Sequence, residues 1–392
     1  MKILMINVVC GIRSTGRICT DLADALIKQG HEVKIAYGRE SVPEKYSKYA
    51  VRIGTDFDVK IHALKARLSD SCGFGSRKVT EKFIEWLKEY NPDVIHLHNI
   101  HGYYINIEVL FDYLRTSGKK IIWTLHDCWA FTGHTAYCDF YECNKWKYGC
   151  GNCPGRNAYP KSIKDASRTN WERKKKLFTG IPNLTLVTPS KWLADMAKES
   201  FLSDYPIEVI PNGIDTEAFK TRESNFREKY KLQSNKILIG VSTAWDEMKG
   251  LSDYYRLADQ LGEEYKVVLV GLKPKQMDSL PANVLGVERT NSVEELVDIY
   301  SSADCLVNLS KCESFSLVNL EAQTCGTPVI TYDTGGCRET IWENCGVVVP
   351  KGDLETVVKT VRENRISKPV IIQDRTAIDK QYTMEQYMKM FA

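Results

Sequence analysis

The sequence predicts an α/β protein made of two doubly wound halves, each a parallel β-sheet covered by helices. Short runs rich in valine, isoleucine and leucine alternate with amphipathic stretches along the chain, which is typical of parallel sheets buried on both faces. The 392 residues are 43% hydrophobic and 26% charged, which is enough material for two domains with full cores. A stretch rich in proline and glycine separates the two series of elements.

Five strands are predicted in the first half and six in the second. The first five lie on KILMINVV, VKIAYG, DVIHLHN, IIWTLHD and LTLVTPS. The other six lie on ILIGVST, KVVLVGL, NVLGVER, CLVNLS, PVITYD and GVVVP. Between the two series, PIEVIPNGIDTEAFK carries two prolines and an Asn-Gly pair that interrupt regular structure. We therefore predict one domain over residues 1–211 and a second over residues 212–375.

The C-terminal segment, residues 376–392, is predicted to be a helix. Its apolar residues recur at helical spacing, at Ile378, Tyr382, Tyr387 and Phe391, and no strand follows it. We expect this helix to pack back on the first domain.

Net charge, the length of apolar runs and the cysteines indicate where the protein works and which ligands its charge does not favour. The formal net charge of +3 gives no electrostatic argument for binding nucleic acid. The apolar N-terminal run is about eight residues long, too short for a signal peptide, and no run approaches the roughly 20 apolar residues that cross a bilayer. We therefore expect a cytoplasmic protein whose 13 cysteines are thiols rather than disulfides.

The stretch KCESFSLVNLEAQTCGTPVI, residues 311–330, reads as a strand-to-helix loop followed by a helix. A serine before the periodic run is an N-cap signal, with Glu313 before the helix and Glu321 inside it. A helix N-terminus favours an anion, so residues 314–318 suit a diphosphate, Glu321 a ribose diol and Glu313 sugar hydroxyls. The alternative is a pair of glutamates that are merely solvated.

The two glutamates, followed by YDTGGCRE, resemble the E-x7-E signature of glycosyltransferase family 4, whose members are retaining enzymes of the GT-B fold. Further matching motifs are STGRI at 14–18, GHEV at 30–33, HLHN at 96–99, TLHD at 124–127, PSKWL at 189–193, IPNGID at 210–215 and KG at 249–250. The resemblance implies two Rossmann-like domains facing across a cleft. The acceptor domain would be residues 1–211 and the nucleotide-sugar donor domain residues 212–375.

The resemblance also implies roles for individual donor-site residues. Glu321 would bind the ribose hydroxyls, and Glu313 would act on the transferred sugar. The backbone N–H groups on the phosphates would belong to Ser314, Phe315, Ser316 and Leu317.

Lys249 follows strand ILIGVST and precedes a predicted helix. In the family a lysine at this position neutralises the leaving diphosphate, and an ammonium is a good partner for phosphate. The alternative is an ordinary solvated lysine. Many members carry an arginine six positions earlier, where this chain has Thr243. Arg17 and Lys273 are the candidates for the missing positive charge.

The loop CGIRSTGRI is not a dinucleotide-binding fingerprint, because Gly11 and Gly16 are five positions apart. The resemblance implies that Ser14, Thr15 and Gly16 close on the donor phosphates through backbone N–H groups at a helix start. A plain strand-to-helix turn is the alternative.

Five of the seven histidines fall within residues 96–134. By resemblance, His126 at the end of strand IIWTLHD contacts the reacting sugar, and His126 and Glu313 are the catalytic residues. We expect His126 to orient the reacting sugar and not to act as a base, because in enzymes of this kind the leaving phosphate helps to deprotonate the acceptor. Asp127 is either a partner of this site or a turn residue, and His96 is either a functional or a core histidine.

Cys138, Cys143, Cys150 and Cys153 have the spacing C-x4-C-x6-C-x2-C, which is compatible with a tetrahedral zinc site. Free or redox-active thiols are the alternative. The resemblance implies neither a catalytic metal nor a cofactor.

The stretch SRTNWERKKKLF clusters Arg168, Arg173 and Lys174–Lys176 with Trp171 and Phe178. A basic helix with aromatic residues can rest on an anionic membrane surface, and a solvated charged face is the alternative.

Together these features predict a retaining, metal-independent hexosyltransferase that uses a UDP- or GDP-sugar. Its acceptor would be a saccharide hydroxyl, on a lipid-linked glycan of surface polysaccharide synthesis, at the inner face of the membrane. A nucleotide-sugar epimerase of the same fold and a non-catalytic two-lobed binding protein are the alternatives. An epimerase would turn over donor without acceptor, and a binding protein would release no nucleotide.

Overall fold

The structure, a computed structural model, describes residues 1–365 and 368–391. Contacts divide the chain into two units. The first unit comprises Met1–Ile210 and the C-terminal segment from Met384, and the second comprises Pro211–Thr383. Residues 366 and 367 of the predicted second domain, and residue 392 of the predicted terminal helix, lie outside the described residues. The assignment of acceptor and donor roles to the two units stays a prediction.

The first unit is built on one parallel sheet. Its strands are β1 (Lys2–Asn7), β2 (Glu32–Tyr37), β3 (Ala50–Arg52), β4 (Val94–Leu97), β5 (Lys120–Thr124), β6 (Leu184–Thr188) and β7 (Ile207–Val209). They are ordered β3-β2-β1-β4-β5-β6-β7, with every neighbouring pair parallel. Its helices are α1 (Arg13–Lys28), α2 (Asp56–Ser69), α3 (Arg77–Tyr90), α4 (Ile107–Thr116), α5 (Ser167–Phe178) and α6 (Lys191–Lys198), with 3-10 turns at 44–49, 128–130 and 145–147.

The second unit repeats this design with six strands. They are β8 (Lys236–Val241), β9 (Tyr265–Val270), β10 (Val284–Val287), β11 (Cys305–Asn308), β12 (Val329–Asp333) and β13 (Gly346–Pro350), ordered β10-β9-β8-β11-β12-β13 and all parallel. The remaining helices are α7 (Phe226–Lys229), α8 (Leu251–Gln260), α9 (Pro274–Met277), α10 (Val293–Ser302), α11 (Leu317–Thr324), α12 (Leu354–Arg362) and α13 (Lys380–Phe391), with 3-10 turns at 247–249, 337–340 and 376–378.

The predicted fold class, two doubly wound parallel sheets, is confirmed. All eleven predicted strands coincide with observed strands, and of the strands in residues 1–365 and 368–391 the sequence missed β3 and β7. Both are three-residue strands at opposite ends of the first sheet, too short for a hydrophobic pattern to reveal. The strand β7 lies inside the proline-rich stretch that predicts the domain boundary.

Strand order locates the places where a ligand can bind. In each sheet the winding reverses between two adjacent strands, β1 and β4 in the first unit and β8 and β11 in the second. At such a switch point the loops at the carboxyl ends of the strands diverge and leave a crevice. The loops that follow these four strands are therefore the candidates for functional residues.

Both faces of the first sheet are buried. Leu4 and Ile6 of β1 pack in one core cluster, and Ile3 and Met5 pack in another, as expected from the alternation of side chains along a strand. Tyr387 and Phe391 of α13 belong to the same cluster as Ile3 and are each 1% exposed, whereas Tyr382 is 37% exposed.

Candidate functional site

In the second unit, the loops after β8 and β11 are held against each other. Gly250 has φ +73°, and a Cβ there would lie 2.2 Å from the carbonyl oxygen of Leu309. A residue with a side chain would therefore push the two loops apart. The backbone N–H of Lys311 also donates to the carbonyl of Met248 at 2.8 Å. These contacts bring the loop that carries Lys249 against the loop that carries Glu313.

Lys249 and Glu313 form an ion pair at this switch point. Lys249 Nζ lies 2.5 Å from Glu313 Oε2, and the two side chains are 32% and 21% exposed. Burial disfavours the ammonium, but the charge and hydrogen bond of Glu313 outweigh it and raise the pKa of Lys249 above its usual value. Asp246 Oδ1 accepts the backbone N–H of Lys249 at 3.0 Å and fixes the turn. Lys249 is therefore a positioned cation and not a solvated lysine.

Ser316 is the N-cap of α11, but its side chain makes no capping hydrogen bond. Instead, Asn308 Nδ2 donates to Ser316 Oγ at 3.0 Å and to Asn319 Oδ1 at 2.9 Å. The predicted position of the serine N-cap is thus correct. The Ser316 hydroxyl does not cap the helix but connects it to β11 by a hydrogen bond. The first N–H groups of a helix have no intrahelical acceptor, so the start of α11 keeps the character of an anion site.

Two of the predicted phosphate-binding residues, Phe315 and Ser316, are buried at 8% and 2% exposure, while Ser314 and Leu317 are partly exposed. The Phe315 ring belongs to the core of the second unit. The side chains of Phe315 and Ser316 are therefore structural, and any contact of these two residues with phosphate falls to their backbone.

Glu321 is held by a residue that the sequence did not reveal. Tyr300, at the end of α10, donates its hydroxyl to Glu321 Oε2 at 2.7 Å. Tyr300 is 0% exposed, and burial, with the neighbouring carboxylate, raises its pKa well above the usual value. It is therefore a permanent hydrogen-bond donor that orients Glu321. No spacing signal singles out Tyr300, because it lies on an apolar helix face like many core tyrosines.

Of the two candidates for the missing positive charge, Lys273 lies in the same unit as Lys249. It follows β9, the neighbour of β8 in the sheet. A Cβ at Gly271 would lie 1.8 Å from the carbonyl oxygen of Ser242, and Gln276 Nε2 donates to the carbonyl of Trp245 at 3.1 Å. The Lys273 loop therefore packs against the loop of the exposed Thr243. Arg17, also exposed, lies in the first unit.

In the first unit, the loop after β1 closes on itself before α1. The backbone N–H of Gly11 donates to the carbonyl of Gly16 at 3.1 Å, and a Cβ at Gly16 would lie 3.2 Å from the Gly11 nitrogen. Because α1 begins at Arg13, Ser14, Thr15 and Gly16 occupy its first turn. The N-cap of this helix, Ile12, has no side-chain cap. Ser14 and Thr15 thus stand where backbone N–H groups lack intrahelical partners, and Gly16 completes the turn.

His126 follows β5 and forms a hydrogen-bonded pair with His98. His98 Nδ1 and His126 Nε2 are 3.0 Å apart, and the two rings are stacked at 5.4 Å. Burial lowers the pKa of His126 to about 4 and that of His98 well below its usual value. Both rings are therefore neutral at physiological pH, so His126 can offer or accept a hydrogen bond but is not a cation. His96 is 0% exposed and lies in the core.

Asp127 pairs with His101. Its Oδ2 accepts from His101 Nε2 at 3.0 Å and its Oδ1 from the backbone N–H of Trp129 at 2.8 Å. Asp127 is therefore both the partner of a histidine and a turn residue. Burial raises the pKa of this carboxyl, but His101 and the Trp129 N–H lower it further, to below its usual value. The other nitrogen of His101, Nδ1, lies 3.0 Å from the hydroxyl of Tyr159, a contact that the sequence did not indicate.

The basic helix α5 does not expose the two aromatic residues for which the sequence predicted membrane contact. Trp171 and Phe178 are 8% and 0% exposed, and Lys174 is 1% exposed. Lys174 Nζ donates to the carbonyls of Trp129 and Thr132 at 2.7 and 3.0 Å. These three residues are buried and cannot contact a membrane surface. The membrane prediction was therefore wrong for them. Among the helices in the described part of the chain, none is both long and apolar enough to cross a membrane.

Comparison with known families identifies the class of protein. A model of Glycosyltransferase Family 4 matches residues 15–218, more than half of the chain. A model of Glycosyl transferases group 1 matches residues 222–369. The chain belongs to glycosyltransferase family 4, and it is a glycosyltransferase of the group 1 type. The resemblance inferred from the sequence motifs is thereby confirmed.

Individual proteins give the same result. The chain is 26% identical to a putative colanic acid biosynthesis glycosyl transferase, WcaC, of Escherichia coli strain K12, over all of this chain and 99% of that protein. Its fold matches sucrose-phosphate synthase from Thermosynechococcus elongatus with a TM-score of 0.68 at 18% identity, covering 100% and 94% of the two chains. It also matches Anabaena HepE in complex with UDP and glucose with a TM-score of 0.67 at 15% identity, covering 99% and 98%. At these identities the solved structures establish the GT-B fold alone.

Proposed function

We propose that this glycosyltransferase moves a hexose from a nucleoside-diphosphate sugar to a saccharide hydroxyl, with retention of the anomeric configuration and without a catalytic metal ion. The ion pair between Lys249 and Glu313, beside the start of α11, carries the proposal. It combines a fixed cation, a carboxylate and a helix N-terminus at one switch point. A sugar linked to a diphosphate is a ligand that needs all three.

In the second unit, the diphosphate binds the backbone N–H groups at Ser314–Leu317, and Lys249 neutralises the charge that develops on it as it leaves. Glu313 accepts hydrogen bonds from the hydroxyls of the transferred sugar. Glu321, oriented by Tyr300, accepts from the ribose hydroxyls. Stabilising a charge as it forms is a large term in transfer reactions of this type, so Lys249 contributes to the rate more than to substrate binding.

In the first unit, His126 is neutral and orients the reacting sugar or the acceptor by a hydrogen bond, and the turn of Ser14, Thr15 and Gly16 closes on the phosphates. The acceptor oxygen forms a bond to the anomeric carbon on the face from which the diphosphate departs. The bond from that carbon to the phosphate oxygen breaks, and the acceptor proton passes to the leaving diphosphate. Retention follows because the incoming and leaving oxygens share one face of the sugar.

The acceptor is proposed to be a glycan of surface polysaccharide synthesis, carried on a lipid. The similarity to WcaC over the whole chain supports the polysaccharide assignment. The exposed basic residues that remain on α5, Arg168, Lys175 and Lys176, are available for an anionic membrane surface. The enzyme would then work in the cytoplasm, at the inner face of the membrane.

A UDP-sugar is the first donor to test, because HepE was solved with UDP and glucose.

The test is release of nucleoside diphosphate from UDP-, GDP- and ADP-sugars, with mixed saccharide acceptors, with and without EDTA. We expect release from one donor that requires an acceptor, is unaffected by EDTA and is lost in Glu313→Ala. Nuclear magnetic resonance of the product should give the same anomeric configuration as the donor. Turnover of the donor without acceptor, with no nucleotide released, would favour an epimerase. Tight donor binding with no reaction on any acceptor would favour a binding protein.

A further inference from the structure

The segment 131–166 of the first unit is long and almost without regular structure. Between the 3-10 turn at 128–130 and α5 it contains one further 3-10 turn, at 145–147. A stretch of this length with so few regular hydrogen bonds is uncommon in a compact domain and needs another means of being held. Small irregular regions are often held by disulfides or structural metals, and the cysteines of this segment are free thiols.

Five potential metal-binding side chains of this segment line one cavity of about 20 Å³. They are His134, Cys138, Cys143, Cys150 and Cys153. The turn between the last two cysteines contains Gly151 at φ +152° and Asn152 at φ +47°, a backbone shape that residues with side chains seldom adopt. This turn brings both thiols of the C-x-x-C pair to the cavity.

Backbone N–H groups are directed at two of these sulfur atoms. Gly133 donates to Cys150 Sγ at 3.2 Å, and the N–H groups of Gly155 and Thr135 donate to the sulfur of Cys153. A side chain at Gly133 would collide with the Ser167 carbonyl oxygen, 1.9 Å from the Cβ position. Burial raises the pKa of both thiols, so these N–H groups are placed to stabilise thiolates that form when a metal ion displaces the thiol protons.

His134 provides an independent sign of a missing ligand. Its side chain is 0% exposed, and Nδ1 donates to Asp70 Oδ1 at 2.5 Å. Its other nitrogen, Nε2, is buried with no hydrogen-bond partner. A histidine that binds a metal usually donates its second ring N–H to a carboxylate, which fixes the ring and leaves the other nitrogen as the ligand. Asp70 and His134 have this arrangement.

We propose that Cys143, Cys150, Cys153 and His134 bind a structural zinc ion that holds the segment 131–166 in place. Zinc takes four such ligands in a tetrahedron. In residues 1–365 and 368–391, no three histidine, cysteine, aspartate or glutamate side chains are already arranged to hold a metal. The cysteine side chains must therefore turn further into the cavity as the ion enters, and three thiol protons pass to solvent. The ion is structural and takes no part in sugar transfer.

The test is the metal content of the full chain, purified under reducing conditions from zinc-supplemented cells without a chelator. We expect about one zinc per chain by mass spectrometry. Cys150→Ser and Cys153→Ser should each lose more than about tenfold in zinc affinity, because the loss of even an outer-shell partner of a ligand costs about 10- to 100-fold. Cys345→Ser, a buried cysteine of the second unit, should retain the metal. Cys138→Ser should also retain it while His134→Gln loses it. The reverse result for this pair would overturn the assignment of His134 in favour of Cys138.

A second measurement covers variants that fail to fold. Wild-type protein stripped of metal should take up one Co²⁺ and develop the absorption bands of a tetrahedral thiolate site, which Zn²⁺ then abolishes. Wild-type protein that is purified without zinc and binds neither ion would overturn the proposal. Recovery of the cysteines of this segment as a disulfide in the native enzyme, with no metal present, would also overturn it.

Discussion

The two candidate half-sites both lie at the carboxyl ends of parallel strands in their sheets, but their key side chains differ in charge. At the β8/β11 switch point the key groups are charged, with Lys249 paired to Glu313 at 2.5 Å. At the carboxyl ends of β4 and β5 the key groups are two neutral histidines, the buried His98 and the partly exposed His126. The contrast fits a division of labour. In this division the charged groups of the second unit hold the donor, and the neutral His126 of the first unit orients the reacting sugar or the acceptor by a hydrogen bond.

The largest expected effect is from removal of the charged pair. Lys249→Met and Glu313→Gln should each lower kcat by about 10²- to 10³-fold, as is found when a group that stabilises transition-state charge is removed. His126→Gln should cost less, because a neutral hydrogen bond is worth about 1 kcal/mol. Steady-state kinetics with the donor that the release assay identifies provides the measurement. Lys275→Met, an exposed lysine of α9, is the matched control. Equal losses at Lys249 and His126 would contradict the division of labour.

The second effect concerns the donor's ribose. Glu321→Ala should weaken binding of the nucleoside diphosphate by about tenfold to a hundredfold, because a hydrogen bond to a charged group is worth about 1.5–3 kcal/mol. Tyr300→Phe removes only the hydroxyl that orients Glu321 and should weaken binding by about fivefold, roughly 1 kcal/mol.

Calorimetry on the free enzyme measures both affinities, with Glu355→Ala, exposed on α12, as the control. An unchanged affinity in Glu321→Ala would remove its ribose role. A loss in Tyr300→Phe as large as that in Glu321→Ala would mean that the tyrosine supports the fold of the site and does more than orient one carboxylate.

The third effect tests the neutrality of the histidine cluster. Burial lowers the pKa of His96 to about 3 and that of His126 to about 4, so the unfolded chain binds protons that the folded chain does not. The contribution of these histidines to the free energy of unfolding is therefore complete above about pH 6.5. On acidification it should fall by roughly 1.4 kcal/mol per pH unit for each histidine, down to the pKa of that histidine in the folded state. Urea midpoints between pH 7 and 5 should show this slope.

His96→Gln should reduce the pH dependence of the midpoint, whatever it does to stability at pH 7. His31→Gln, at a partly exposed histidine, serves as the control. An undiminished slope in His96→Gln would mean that His96 binds as many protons in the folded chain as in the unfolded chain, so that it is not held neutral by burial. The same neutrality implies that the pH profile of kcat shows no ionisation of His126 between pH 5 and 8.

The sequence could predict what depends on pattern and spacing. Alternation of apolar runs located eleven strands, and the residues between Glu313 and Glu321 placed the start of α11 within the correct few positions. Residues brought together by tertiary packing were out of reach. Tyr300 reaches Glu321 from another helix, and Tyr159 reaches His101 across 58 positions. The membrane prediction for residues of α5 was wrong for a related reason. Composition does not reveal that Lys174 turns inward and donates to the carbonyls of Trp129 and Thr132.

The smallest expected effect decides which residue replaces the arginine that this chain lacks. If Lys273 supplies the charge, Lys273→Ala should raise the KM for donor by about three- to tenfold, roughly 0.7–1.4 kcal/mol, as for a solvent-screened contact to phosphate. The loss should shrink at high salt. Arg17→Ala should then be near neutral. Thr243→Arg should rescue Lys273→Ala, because the loops after β8 and β9 touch at Gly271 and Ser242. If Arg17→Ala is the damaging change instead, the first unit contributes charge as well, and the separation of charged and neutral half-sites would be incomplete.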